Sequence, residues 1–296
     1  MGAFPRRHSL RAAVDWSMRS QARIWFRVGG IPLLLYGGLL AMLAAFQDRM
    51  IYFPSHRTEP LALREAAMAG FDPWRARDGR LIGWRSPPPC GDHRLIVFHG
   101  NAGMASQREY FRDGMRGVGG VRWDVFVLEY PGYGSRPGKP GENAFFAAGR
   151  EALQELRRED DRPIFLLGES IGSGVAARLA GEARERINGL VLITPFTCLT
   201  DVAAHHYPWL PVRWLLRDRF DNEAALRGFH GSLAVVLAER DEVVPAELGQ
   251  RLYDSYPGRK RLWLHSGAGH NTLDTRPQAA WWGELSEFLL ARSVRD

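Results

Sequence analysis

The chain has 296 residues, 45% of them hydrophobic and 24% charged, with 39 Lys+Arg against 33 Asp+Glu and a formal net charge of +6. That balance excludes an intrinsically disordered chain, which is poorer in apolar residues. Two cysteines (Cys90 and Cys198) exclude a disulfide scaffold or a Cys-rich zinc site. The positive excess is local: residues 1–27 hold six arginines against one aspartate, and the remainder is nearly neutral. The charge therefore gives no basis for binding nucleic acid.

Residues 28–46 carry no charge. A membrane-spanning helix needs roughly 20 mostly apolar residues. The four glycines and Pro32 in this stretch weaken a soluble helix but are tolerated in a membrane. We expect a basic cytoplasmic segment (1–27), a single-pass transmembrane anchor (28–46) and a folded domain (47–296) on the extracytoplasmic side, periplasmic in a bacterium, because positive flanks stay inside. Two other readings stay open. One is a cleaved signal peptide, with small residues at Ala44 and Ala45, and the other is a buried or interfacial helix.

In chain order, residues 71–84 contain Asp78-Gly79, a hairpin signal. Short apolar runs then read as buried strands at 94–98, 123–129, 164–167, 190–193, 233–238 and 261–265. Helical patterns lie at 105–117, 143–158, 171–183, 245–256 and 278–292. Strand and helix in alternation predict an α/β fold, a parallel sheet with helices on both faces. Residues 195–232 break the alternation and predict a short cap. Its Trp/Leu-rich stretch offers Trp209 and Trp214 as substrate contacts, which favours an acyl chain or lipid-like molecule.

Gly168-Glu169-Ser170-Ile171-Gly172 follows one apolar run and opens a helix of small residues. A serine on such a tight strand-to-helix turn is lifted above the sheet edge, and the helix N-terminus beneath it favours a developing oxyanion. A serine hydroxyl needs a base. His270 lies in a glycine loop past the last strand run. An acid to orient it follows the 233–238 run, where Asp241 is preferred and Glu242 and Glu239 remain alternatives. Ser170, Asp241 and His270 then fall in the order Ser, acid, His. His205 and His206 lack a third ligand, so no metal and no organic cofactor is expected. His99 reads as a loop brace. Gly132 and Gly134 allow sharp turns that would bring Tyr133 beside the serine as a further substrate contact.

These motifs, together with Ile51-Tyr52-Phe53-Pro54, His99-Gly100-Asn101-Ala102-Gly103, Glu129-Tyr130-Pro131-Gly132-Tyr133-Gly134-Ser135, Pro195-Phe196-Thr197, Asp241-Glu242-Val243-Val244-Pro245 and Gly267-Ala268-Gly269-His270-Asn271, give the chain a family likeness. It resembles the α/β-hydrolases, and within them the membrane-anchored serine hydrolases related to the fission-yeast Bem proteins and mammalian abhydrolase-domain proteins. It departs at Arg136-Pro137 and at Cys198, which stands where serine usually follows Pro-Phe-Thr. The resemblance implies an eight-stranded, mostly parallel sheet and a Ser170/Asp241/His270 triad. It also implies an oxyanion hole from the backbone N–H groups of Ile171 and Asn101, with Ala102 as the alternative to Asn101. The expected activity is cleavage of a carboxylic ester or thioester through an acyl-enzyme. Amide hydrolysis by the same residues, or a catalytically silent binding protein of the same fold, are the rival readings.

Overall fold

The computed structural model describes residues 30–87, 91–116 and 120–291. The basic segment 1–27 and Cys90 lie outside the described residues. Eight strands form one sheet: β1 Asp72–Arg75, β2 Leu81–Arg85, β3 His93–Phe98, β4 Trp123–Leu128, β5 Ile164–Glu169, β6 Gly189–Ile193, β7 Ser232–Ala238 and β8 Lys260–His265. Their spatial order is β1-β2-β4-β3-β5-β6-β7-β8. The hairpin of β1 and β2 joins antiparallel, and every neighbouring pair from β4 to β8 is parallel. The expected eight-stranded, mostly parallel sheet is what the chain forms.

The near-continuous apolar strands follow from burial on both faces. Alternate side chains of β3 part company: Ile96 and Phe98 join one core layer, Leu95 and Val97 the other. Helices α4 (Glu142–Glu159), α5 (Ile171–Glu182) and α9 (Ala246–Ser255) cover the first layer. Helices α2 (Glu59–Met68), α3 (Glu109–Arg116) and α10 (Trp281–Leu290) cover the second. The cap is three short helices, α6 Leu199–His206, α7 Val212–Leu215 and α8 Asn222–Leu226.

Two elements differ from expectation. Helix α2 has no counterpart in the sequence reading, because its Ala-rich decapeptide shows little amphipathic period and buries only Ala62 and Ala66. The first apolar helix, α1, runs Ile31–Ile51 and so overshoots the expected end at residue 46. Pro32 sits in the first turn, where its missing N–H costs nothing, and the helix continues through polar Gln47, Asp48 and Arg49. It is long and apolar enough to cross a membrane. The chain divides into two compact units between Gln47 and Asp48, and the larger holds the whole sheet.

Candidate active site

The parallel strands end in register, with Phe98 beside Gly168 and Ala238 beside His265. The loops that leave β3, β5, β7 and β8 therefore gather at one sheet edge, where α/β folds bind ligands. Ser170 follows β5 directly with φ 52° and ψ −120°. A non-glycine residue in that region is strained by about 1–3 kcal/mol and persists only where its surroundings hold it. Here Ser170 N–H donates to the Ile193 carbonyl at 2.9 Å. Added Cβ atoms at Gly168 and Gly172 would meet backbone: at Gly168 the Gly172 carbonyl, at Gly172 the Phe98 carbonyl. Both glycines are thus required by close packing of strand and helix.

His270 Nε2 lies 3.2 Å from Ser170 Oγ, and His270 Nδ1 lies 2.7 Å from Asp241 Oδ2. A carboxylate can only accept, so Nδ1 carries the hydrogen and Nε2 can accept from the serine hydroxyl. The Asp241 side chain is buried. Its other oxygen accepts from the N–H groups of Val243 (2.9 Å) and Val244 (2.7 Å), which fixes its orientation. Glu242 accepts from the His270 backbone N–H at 3.3 Å, and Glu239 from Gly267 N–H at 2.7 Å. Of the three acids weighed in the sequence, only Asp241 meets the imidazole, and the two glutamates brace its loop.

The loop after β3 is tied to the elbow by the elbow's own variable residue. Glu169 Oε2 accepts from Gly100 N–H at 3.0 Å, and its Oε1 accepts from the Tyr110 hydroxyl at 2.7 Å. Asn101 spends its side chain on support. Its Oδ1 accepts from Tyr133 Oη (3.0 Å) and Phe53 N–H (3.2 Å), and its Nδ2 donates to the Ile51 carbonyl. Only its backbone N–H is left for an oxyanion. Ile171 opens α5, and the first N–H groups of a helix have no intrahelical partner.

The segment after α1 is stitched into the same edge. Ser55 N–H donates to the Gly103 carbonyl (3.1 Å), Arg57 N–H to the Gly134 carbonyl (2.7 Å), and Gly134 N–H to the Ser55 carbonyl (2.8 Å). Tyr52 Oη donates to Asp218 Oδ2 of the cap at 2.5 Å. Burial, and the Asp218 carboxylate, hold that hydroxyl far above its ordinary range.

Beneath the loops, His99 and Glu129 are fully buried with Nε2 and Oε1 3.8 Å apart. Burial lowers the imidazole to about 3 and raises the carboxyl to about 7. His99 Nδ1 donates to the Gly100 carbonyl at 2.7 Å, as a loop brace should. Glu129 accepts from Ala105 N–H at 3.1 Å and Trp84 Nε1 at 3.3 Å.

One expected substrate contact, Tyr133, needs correction. Tyr133 has no exposed surface, and its hydroxyl is given to Asn101. The double glycine turn folds it under the loop, so it positions Asn101 instead of meeting a ligand. Trp209 and Trp214 are 59% and 89% exposed on the cap. Glu169, Tyr110 and Tyr52 were not singled out from sequence. The signal for Glu169 and Tyr52 was their place inside motif blocks, and no motif marked Tyr110. Among the described residues, no group of three or more His, Cys, Asp or Glu gathers as metal ligands would.

The alpha/beta hydrolase fold family matches residues 93–287. An uncharacterized protein of Mycobacterium tuberculosis (strain ATCC 25618 / H37Rv) is 36% identical over 274 residues, 90% of this chain and 95% of its own. Lysophosphatidylserine lipase ABHD12 of Bos taurus is 27% identical over 199 residues, 61% of this chain, and this chain spans 50% of that protein's length. Among solved structures, an esterase of Pyrococcus furiosus superposes with TM-score 0.59 at 18% identity, covering 81% of this chain and 96% of its own. That likeness shows the fold. Sheet order, motif blocks and matched region agree: the chain belongs to the alpha/beta hydrolase fold family.

Proposed function

We propose that the protein is a membrane-tethered serine hydrolase that cleaves carboxylic esters or thioesters through an acyl-enzyme. The observation that carries this reading is the line Asp241–His270–Ser170, closed by contacts of 2.7 and 3.2 Å. Ser170 Oγ attacks the acyl carbon while His270 Nε2 takes its proton. The tetrahedral oxyanion lies against the N–H groups of Ile171 and Asn101, and Asp241 stabilises the imidazolium. As the carbon–oxygen or carbon–sulfur bond breaks, His270 returns the proton to the departing alcohol or thiol. Water then attacks the acyl carbon as it gives a proton to His270, and His270 passes that proton to Ser170 Oγ as the acid leaves.

The name of the lysophosphatidylserine lipase relative supports an acyl or lipid-like substrate. The apolar helix Ile31–Ile51 supports the tether, and the arginines upstream of it support a cytoplasmic N-terminus with the sheet domain on the other side. Amide hydrolysis would use the same groups.

Labelling by a fluorophosphonate probe tests the reading. Folded protein should be labelled and Ser170→Ala should not. Absence of labelling in the intact protein would favour a silent binding protein, and labelling that survives the substitution would remove Ser170 as nucleophile.

A further inference from the structure

The cap carries large aromatic side chains in the open. Tyr207, Trp209 and Trp214 are 46%, 59% and 89% exposed, although a soluble domain gains by burying indoles and phenols. They fall in one short stretch, residues 207–214, and that stretch is held at both ends. Before it, His206 Nε2 lies 2.9 Å from the Val243 carbonyl, two residues past Asp241. After it, Arg217 Nη2 donates to Asp48 Oδ1 at 2.8 Å, and Asp218 accepts from Tyr52. Asp48 and Tyr52 sit at the C-terminal end of the apolar helix Ile31–Ile51 and just past it. The exposed aromatics are thus fixed between the acid loop of the candidate site and the chain that emerges from the apolar helix.

We propose that residues 207–214 form a bilayer-docking surface, with Trp209 and Trp214 seated at the lipid headgroup level. The inference rests on the tether proposed above and deepens it by naming how the site meets an insoluble substrate. Trp and Tyr concentrate at membrane–water interfaces because an apolar ring carries a polar edge. The part of the helix before Asp48, Ile31 to Gln47, rises about 26 Å, close to one hydrocarbon core, so Asp48 and Tyr52 emerge where headgroups begin. Arg217 and Asp218, bonded to them, share that depth, and residues 207–214 lie a few positions before them in the chain. The occupant is therefore the membrane that holds the chain, and a lipid-like ester could pass from it to Ser170 without crossing water.

The test uses the full chain in phosphatidylcholine vesicles, with and without brominated acyl chains. Tryptophan emission of Trp209→Ser/Trp214→Ser is subtracted from that of the unsubstituted protein, which isolates the two indoles from the other eight. That difference emission should be quenched by bromolipid and shielded from aqueous iodide. Emission quenched by iodide and not by bromolipid overturns the proposal. In the same vesicles, the rate on a vesicle-borne long-chain ester relative to soluble p-nitrophenyl acetate should fall about tenfold in the double variant. An unchanged ratio overturns the role in substrate uptake. Extraction of the chain by alkaline carbonate would refute the tether and docking together. Bromolipid quenching without hydrolysis of either ester would refute the enzyme reading and leave docking standing.

Discussion

The side-chain amide of Asn101 donates to the carbonyl of Ile51, the last residue of the apolar helix. A residue assigned to the oxyanion hole is thereby fastened to the stem that precedes the domain. We predict that a chain beginning at Asp48 keeps its rate on soluble esters, whereas one beginning at Pro54 loses at least about tenfold in kcat. Asn101 is half-buried, so losing these partners frees its side chain and costs up to about 1–3 kcal/mol. Equal turnover of the two forms would show that this fastening does not matter to the chemistry.

Tyr133→Phe should separate positioning from substrate contact. The variant removes only the hydroxyl that Asn101 Oδ1 accepts, so kcat should drop by about three- to tenfold with little change in KM. A rise in KM alone would restore Tyr133 to the substrate site.

The three acids near His270 should be unequal. Asp241→Asn is expected to lower kcat by roughly 10³–10⁴ through the wrong imidazole tautomer. Glu242→Gln and Glu239→Gln, which lose only supports of the loop backbone, should cost less than about tenfold. Comparable losses for Asp241→Asn and Glu242→Gln would undo the assignment.

Gly172→Ala should destabilise the fold, because its Cβ would strike the Phe98 carbonyl. Backbone cannot yield as a side-chain tip can, so the cost belongs at or above the upper end of the usual 1–3 kcal/mol for overpacking. A Tm lowered by roughly 5–10 °C follows for a domain of this size. Calorimetry showing no shift would mean that strand and helix are less tightly joined.

The buried pair under the loops gives a pH signature. Glu129 is raised from 4.5 to about 7, so its contribution is complete below 4.5 and is lost as pH rises through 7. His99 is lowered from 6.5 to about 3, so its contribution is present above 6.5 and is lost as pH falls toward 3. Between 4.5 and 6.5 the two slopes oppose each other, each near 1.4 kcal/mol per pH unit. Glu129→Gln should leave the His99 slope uncovered, so that Tm rises with pH across that window relative to the parent protein. Parallel Tm profiles for the two proteins would contradict this.

Much of the architecture was legible because burial on both faces writes strands as plain apolar runs, as in 94–98 and 233–238, with turn residues between them. Ser170 and His270 were legible because glycines mark the turns that carry them. In the sequence Asp241 is preferred for its place in the loop, but setting Glu239 and Glu242 aside needed the backbone, since three closely spaced acids point in directions that spacing does not encode. Tyr133 misled for a related reason: the glycines beside it signal a turn but not which way the ring faces. Helix α2 was hidden by weak periodicity. The exposed indoles of the cap run against the ordinary rule that aromatics at helical spacing are core, and such departures collect where function competes with packing.

The second place in the elbow motif, usually written as a wildcard, is occupied here by Glu169, which reaches across to Gly100 and Tyr110. The serine proposed to attack and the loop proposed to receive the negative charge are therefore parts of one clamp. A search pattern indifferent to that letter would accept an alanine there, and a transplanted elbow without its glutamate would lose the bonds to Gly100 and Tyr110 that tie it to the neighbouring loop.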